Sequence, residues 1–578
     1  MNLESLANEL LLDLFEYFSM THLLQSFDNL NIRFNNLISL YYQTHTLNLQ
    51  SISKYYFDLI SQKYIPSITN RINSLQLSDD DDTPQQIHLF FSYGLSFRHF
   101  SHLKSLSIYR FCSLNLLERL MNEILYLPHL TYLKIIRYII KYAEIYDIGI
   151  ISLIERLSKL TYCYFDITND NDGFYQTSSI ISTSLNSLSL PYLECNLNQL
   201  ISLIKNIFNL YSLQIRISDY VINSPIPSIK FLSIKKLNIN FLGSLNIMKN
   251  LLQTMPNLGE LKIELQSNYI NGYEWESIIE NNLLYLIKFQ FKMSISISNQ
   301  NNKEEEIDEI LNSFRSNFWI IRHQWFVQCN WNPLKSSSSS TVHVYTLPYA
   351  FKNFFFMGNS RLKSTYPDNN YQWSFDCIHN LYYNYLSSQN LPLSRMGLCN
   401  IRHLDITIPF DNSFWLIVST LNRLQSLSIV SYNDMNSIDI QSNLEILFER
   451  SPNLHSLKYF SWFVQIEFAE KIKHLSIRRL GLQGPHMTYN QEKCLELCHS
   501  FMGQQCEVLS INVQQRTDII NLINNMKNLR ALIVKCSKMT LTEKENQDLI
   551  QWLQQNLPTT CSISNSTDCN NNIRIWIR

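Results

Sequence analysis

One short phrase recurs along this chain: an apolar residue, two variable residues, a second apolar residue, one variable residue and a third apolar residue. Clear copies are Leu103-Lys104-Ser105-Leu106-Ser107-Ile108 and Leu130-Thr131-Tyr132-Leu133-Lys134-Ile135. Others start at Leu185, Leu210, Ile234 and Leu258, with an earlier copy at Ile72, a diluted one at Leu157 and a weaker one near Leu284 to Phe289. Between Leu103 and Leu258 successive starts lie 24 to 28 residues apart. After a gap the phrase returns at Ile378, Ile401, Leu424, Leu454, Ile472, Cys506 and Leu529. A period held this steadily means one supersecondary unit per repeat. Because successive strand side chains point to opposite faces, the apolar positions share one side and the variable residues between them the other.

Helical patterns fill the intervals. Asn115 to Leu127 sets Leu116, Leu117, Leu120, Ile124 and Leu127 on one face, and Leu245 to Met255, Phe414 to Leu421, Leu444 to Phe448 and Asp518 to Met526 read similarly. Pro128, Pro256 and Pro452 stand between such helices and the next phrase, where a helix cannot continue but an extended segment can begin. Each unit is therefore a short strand plus a returning helix. One unit alone cannot bury its apolar face, whereas stacked neighbours pool theirs. The expected fold class is α/β: a curved solenoid, a horseshoe with a parallel sheet on the concave side and helices outside. With 45% hydrophobic and 16% charged residues over 578 positions, the chain has ample material for such a core.

Over roughly residues 45 to 578 the array resembles the leucine-rich-repeat family, and more closely its irregular intracellular members. The asparagine which that family places after the third apolar position is mostly missing, with Phe111, Tyr138 and Ser537 in its place. The segment 294–376 breaks the pattern with Asn299 to Asn302, Glu304 to Glu306, an aromatic stretch (Phe318, Trp319, Trp325, Phe326, Trp331) and the serines 336–340. It reads as an inserted module or as degenerate repeats, the second being preferred. The domain layout is thus 1–42, a first repeat block 43–293, the irregular 294–376, and a second block 377–578. That last block ends in a helix opened by Thr542 to Glu545 and a strand from Ile573 to Ile577.

Residues 1–42 lack the phrase and read as three short amphipathic helices. Leu6-Ala7-Asn8-Glu9-Leu10-Leu11-Leu12-Asp13-Leu14-Phe15, Leu23-Leu24 and Leu30-Asn31-Ile32-Arg33-Phe34 are similar to the opening, middle and close of the F-box motif. Ala7 stands for its usual proline and Phe34 for its usual tryptophan. The resemblance implies a substrate-recognition subunit of an SCF-type (Skp–cullin–F-box) ubiquitin ligase. Leu6, Glu9, Leu10, Leu14, Phe18, Leu23 and Leu24 would then contact a Skp-type adaptor, held in turn by a cullin–RING scaffold, while the repeats hold a protein substrate. The second reading is a protein-binding scaffold with no role in ubiquitin transfer, whose N-terminal helices only cap the solenoid.

Substrate contact is expected from the variable strand positions, among them Lys104, Ser107, Tyr132, Lys134, Lys236, Asn238, Lys262, His403, Asp405, Ser428, Lys458, His474 and Ser476. Their lysines suggest a mildly basic concave face and an acidic partner. The competing reading of the same residues, and the preferred one, is plain solvated surface. Enzymatic activity is not expected. Only 11 glycines are present, no glycine-rich phosphate loop appears, and no arrangement of His and Cys marks a nucleophile with its base. Cys494, Cys498, His499 and Cys506 match no zinc spacing, so neither metal nor cofactor is expected. A net charge of −1 gives no pull towards nucleic acid or membranes, and every apolar stretch is broken by charge. The start Met1-Asn2-Leu3-Glu4 lacks a secretory pattern. The twelve cysteines then read as reduced thiols of a chain in the cytosol or nucleus.

Overall fold

The computed structural model describes all residues except 1–2, 19, 112–113, 138–155, 167–183, 220–228, 267–268, 298–302, 333–339, 358–359, 368–374, 385–395, 411–413, 432–436, 462–473, 485–486, 537–542, 566–571 and 578. The asparagine run 299–302, serines 336–339, Tyr138, Ser537 and Thr542 of the sequence reading lie outside the described residues.

The recurring phrases form strands, and the hydrogen-bond register pairs their equivalent residues. The strands belong to two large, mostly parallel sheets in a mixed α/β chain. Two compact units emerge: 1–215 with 530–533 and 540–578, and 216–529 with 534–539. In the first unit Leu47 pairs with Leu75, Leu75 with Leu106, Leu106 with Leu133, Leu133 with Cys163, and Cys163 with Leu188. In the second, Leu237 pairs with Leu261 and Leu261 with Phe289. A further parallel series there runs Phe354, Leu381, Leu404, Leu427, Leu457, Leu480, Leu509. All of these side chains are buried. A slip of one residue would turn the whole set to solvent, so burial pins the register.

The start of each strand repeats one hydrogen-bond device. Two consecutive N–H groups donate to a single carbonyl of the preceding repeat: Lys104 and Ser105 to Asn73, Thr131 and Tyr132 to Lys104, Thr161 and Tyr162 to Thr131, all at 2.8–3.0 Å. The second unit does the same, as where Arg402 and His403 share the carbonyl of His379. Backbone thus satisfies backbone at the strand starts.

Two phrases are shifted from their expected places. The diluted copy forms the strand Tyr162–Asp166, preceded by Leu160 rather than Leu157. The copy expected at Ile472 gives way to Ile477-Arg478-Arg479-Leu480-Gly481-Leu482, whose strand is Arg479–Leu482. The two overlapping matches share Ile477, and only the later one aligns Leu480 with Leu457. Gly481 permits that close approach, since a Cβ there would stand 2.9 Å from the Lys458 side chain. Leu475, an apolar position in the expected frame, is 75% exposed.

Among the described residues of 294–376, Asn353–Met357 continues the parallel pattern by pairing with Asn380–Asn384. Three other strands of the segment pair antiparallel, alongside the helix Lys303–Ser313. Ser340–Leu347 pairs with Lys288–Ile297 and Phe326–Trp331, and the latter with Arg361–Ser364. Its aromatic stretch packs on the repeat core, with Trp319 against Phe314 and Phe291 (ring centroids 4.8 and 6.3 Å) and Trp325 against Phe289 (5.5 Å). The helix Gly272–Asn282 approaches so closely that a Cβ on Gly272 would lie 2.1 Å from the Ser313 carbonyl oxygen. Only glycine fits there.

The first unit is discontinuous in sequence because the C-terminal hairpin, Ser562–Asn565 with Ile573–Trp576, packs on its opening repeats. Trp576 is fully buried, its ring 5.3 Å from that of Phe57. The buried Arg574 donates to the carbonyls of Asp79 (2.6 Å) and Asp80. Gln85 donates to the Ile563 carbonyl at 3.2 Å, and Arg530 to that of Ser51 at 3.1 Å.

Candidate protein-interaction surfaces

The N-terminal residues form α1 (Asn8–Phe15), α2 (Met20–Phe27) and α3 (Ile32–Thr44). Aromatic rings fill their core: Phe27 lies 5.1 Å from Phe15 and 5.2 Å from Phe34, with Phe18 edge-on at 5.6 Å. Asn31 caps α3 by accepting from the Phe34 N–H at 2.9 Å. Arg33 then ties the leading segment to α3, donating to the Asn8 side chain (2.9 Å) and to the Glu4 and Leu6 carbonyls.

Around this junction the candidate adaptor residues divide. Glu9 is exposed, Leu10 is 54% exposed, and Leu6, Leu14 and Phe18 are half-buried. Leu23 and Leu24 are fully packed among the helices and drop out as contact residues. Exposed anchors and core positions share apolar identity, so the sequence alone does not separate them. The sequence reading missed Tyr17 (89% exposed), Leu30 and Ile32 (80%). Their signal was available, because α3 has a buried side formed by Phe34, Leu37 and Ile38 from which Ile32 departs.

Among the candidate substrate positions, each unit has its own pattern. In the first unit three neighbouring strands present a grid of Ser105, Ser107 and Tyr109; Tyr132, Lys134 and Ile136; Tyr162, Tyr164 and Asp166. Tyr132 and Tyr162 stack at 4.5 Å with rings 2° from parallel. The Lys134 ammonium sits 5.3 Å from the Tyr109 ring and 5.6 Å from that of Tyr164. Burial pushes the Asp166 carboxyl up to about 6 and raises the Tyr164 hydroxyl. Lys104 lies exposed beside the grid and Ser107 is buried in it. The aromatic members were legible, since Leu130-Thr131-Tyr132 and Leu160-Thr161-Tyr162 align tyrosine under tyrosine.

In the second unit Lys236 pairs with Glu260 and Lys292 with Glu264, both at 2.7 Å. Lys262 donates to the Ala350 carbonyl at 2.8 Å and lies 4.7 Å from the Phe351 ring; burial lowers its pKa. These pairings neutralise Lys236 and Lys292 within the sheet. In the other series Phe355 stacks on Tyr382 at 4.5 Å, followed in register by the half-buried Asp405 and Ser428 and the exposed Lys458. His403 is exposed. His474 is not on a strand: it is buried, its Nε2 3.1 Å from the Ser451 carbonyl oxygen, and burial lowers its pKa. It therefore leaves the set of candidate contacts, and Ser476 leaves with it, bonded to the Pro452 carbonyl ahead of the strand Arg479–Leu482.

Among the described residues no cluster of histidines, cysteines and carboxylates could hold a metal ion. Cys494 and Cys506 are pushed up to about 12, and Cys498 to about 11, all by burial first. Such thiols favour the protonated form, which is a poor nucleophile. Among the described residues no helix is long and apolar enough to cross a membrane. The chain matches no protein-family model and no curated protein.

Proposed function

We propose that this chain is the substrate-recognition subunit of an SCF-type ubiquitin ligase, in which an F-box docks a Skp-type adaptor and leucine-rich repeats hold a protein substrate. The observation that carries the reading is the exposure of Leu10 and Ile32 on the helices, and of Tyr17 and Leu30 in the turns between them, around a core already closed by Phe15, Phe27 and Phe34. Such apolar side chains are costly to leave in water and suit a partner surface. The repeats behind them supply flat rows of variable side chains, the form of surface that captures another protein. The chain itself does no chemistry in this scheme. It raises the local concentration of substrate lysines near a charged enzyme of the cytosol or nucleus.

The test is co-purification of the full chain with a Skp-type adaptor. Leu10→Asp and Ile32→Asp should each weaken the complex at least tenfold without lowering the melting temperature, whereas Leu23→Asp should unfold the helices. A complex indifferent to Leu10→Asp and Ile32→Asp, or no complex, rejects the reading. One observation favours the alternative of a scaffold whose helices only cap the repeats. Asn73, at the start of a repeat, donates from its side chain to the Gln43 carbonyl of α3 at 2.8 Å. Under that alternative Asn73→Ala would loosen the first repeats and no adaptor would bind.

A further inference from the structure

Lys134 occupies the centre of the first unit's grid. Its lateral neighbours are Ser107 and Tyr164, and Tyr132 and Ile136 flank it along the strand. Its ammonium has two ring faces beside it and, among the described residues, no carboxylate within ion-pair distance. The second unit's Lys236 and Lys292 are each neutralised by a glutamate on the adjoining strand. A cation flanked by rings keeps its charge while losing water, so a negative partner arriving there meets a stronger field than on open surface. The surrounding tyrosines add flat, stiff apolar area of the kind enriched at protein contacts. The row spacing of the sheet, two residues along a strand and one strand across, suits alternate side chains of an extended segment.

We infer that this Tyr–Lys grid binds an extended segment of a partner protein through an aspartate or glutamate side chain seated on Lys134, with apolar neighbours lying on Tyr132–Tyr162 and Tyr164. The inference rests on the reading of the sheet faces as the capture surface and names the chemistry captured. Asp166 sets the polarity: the cation is at the centre and the carboxyl at the corner, so the acidic residue of the partner points towards the Ser105–Tyr109 side.

The probe is a displayed library of random twelve-residue peptides selected on the full-length chain. The expected winners carry Asp or Glu beside an apolar residue. A synthetic winner should lose at least tenfold in affinity when its acid becomes Gln, and should lose as much against Lys134→Met. Lys134→Arg should retain binding, Asp166→Asn should tighten it a few fold, and Lys205→Met, at an exposed position closing the helix Leu197–Lys205, should change nothing. Winners without an acidic residue, or equal binding to Lys134→Met, overturn the inference. A phosphoserine version binding where the Glu version does not overturns it too. Adaptor co-purification of Lys134→Met separates the two failures: an adaptor complex that persists while peptide binding is absent sinks the grid alone.

Discussion

Lysines occupy comparable strand positions in the two units, yet their surroundings differ. Lys292 is paired at 2.7 Å with Glu264 on the adjoining strand and is largely buried, its ammonium 5.8 Å from the Phe351 ring and 5.7 Å from that of Phe355. Lys134 lies beside two tyrosine rings and, among the described residues, has no ion-pair partner. A charge neutralised inside its own sheet contributes to folding and has little left for a partner, whereas one left unpaired is available for association. The same residue type on the same face of its strand, two residues further along in one case than in the other, therefore serves opposite ends, and the neighbouring strand decides which.

The comparison breaks first on Lys292→Met. Removing one member of a buried pair leaves Glu264 uncompensated, a loss of about 3 kcal/mol. That is the low end for such pairs, because the Glu264 side chain is 32% exposed. Urea denaturation followed through the second unit should show this shift, and Lys292→Met combined with Glu264→Gln should recover part of it. An unchanged midpoint would mean the pair is incidental.

Acid should then move the two units in opposite directions. Burial pushes His343 of the second unit down to about 4 from 6.5, so its contribution is present above pH 6.5 and fades as pH falls through 4. At about 1.36 kcal/mol per pH unit this reaches roughly 3 kcal/mol at most. In the first unit burial pushes Asp79 and Asp166 up to about 6 from 3.8. Their contribution is complete below pH 3.8 and lost as pH rises through 6. Hydrogen-exchange protection, corrected for intrinsic rates, should fall on acidification in Ser340–Leu347 and rise in Tyr162–Asp166. Parallel trends would dissolve the contrast, and Asp166→Asn should flatten the second profile.

The smallest effect sharpens it. Lys134→Met should change stability by no more than about 1 kcal/mol, the loss of exposed cation–ring contacts. A large drop in melting temperature would place Lys134 with Lys292 as a structural group.

The parallel ladders were legible because one leucine per strand, as in Leu106 and Leu133, marks both the strand and its register. The misplaced strand at Ile472 came from two phrases sharing Ile477, a tie broken only by Gly481 meeting Lys458. Asn353–Met357 escaped notice because Phe354 and Phe356 replace the aliphatic pair inside an aromatic-rich stretch. Ion pairs such as Lys236 with Glu260 stayed hidden because each partner lies a full repeat away, where spacing sets position but not side-chain direction. Leu23 and Leu24 show the limit in the N-terminal helices, where the same leucine serves core or contact.

Arg574 and Trp576 have a consequence for how this molecule is made. The 314 residues of 216–529 separate the opening segment of the first unit from its closing piece. Arg574 follows Asp80 by 494 residues, so at ribosomal speeds of roughly 5–20 residues per second its seat stands open for roughly 25–100 s. During that interval Phe57 and the carbonyls of Asp79 and Asp80 await partners still being synthesised. A nascent chain halted between Leu529 and Arg574 would release a product that carries the whole second unit's main segment but lacks the closing piece of its earliest-made part.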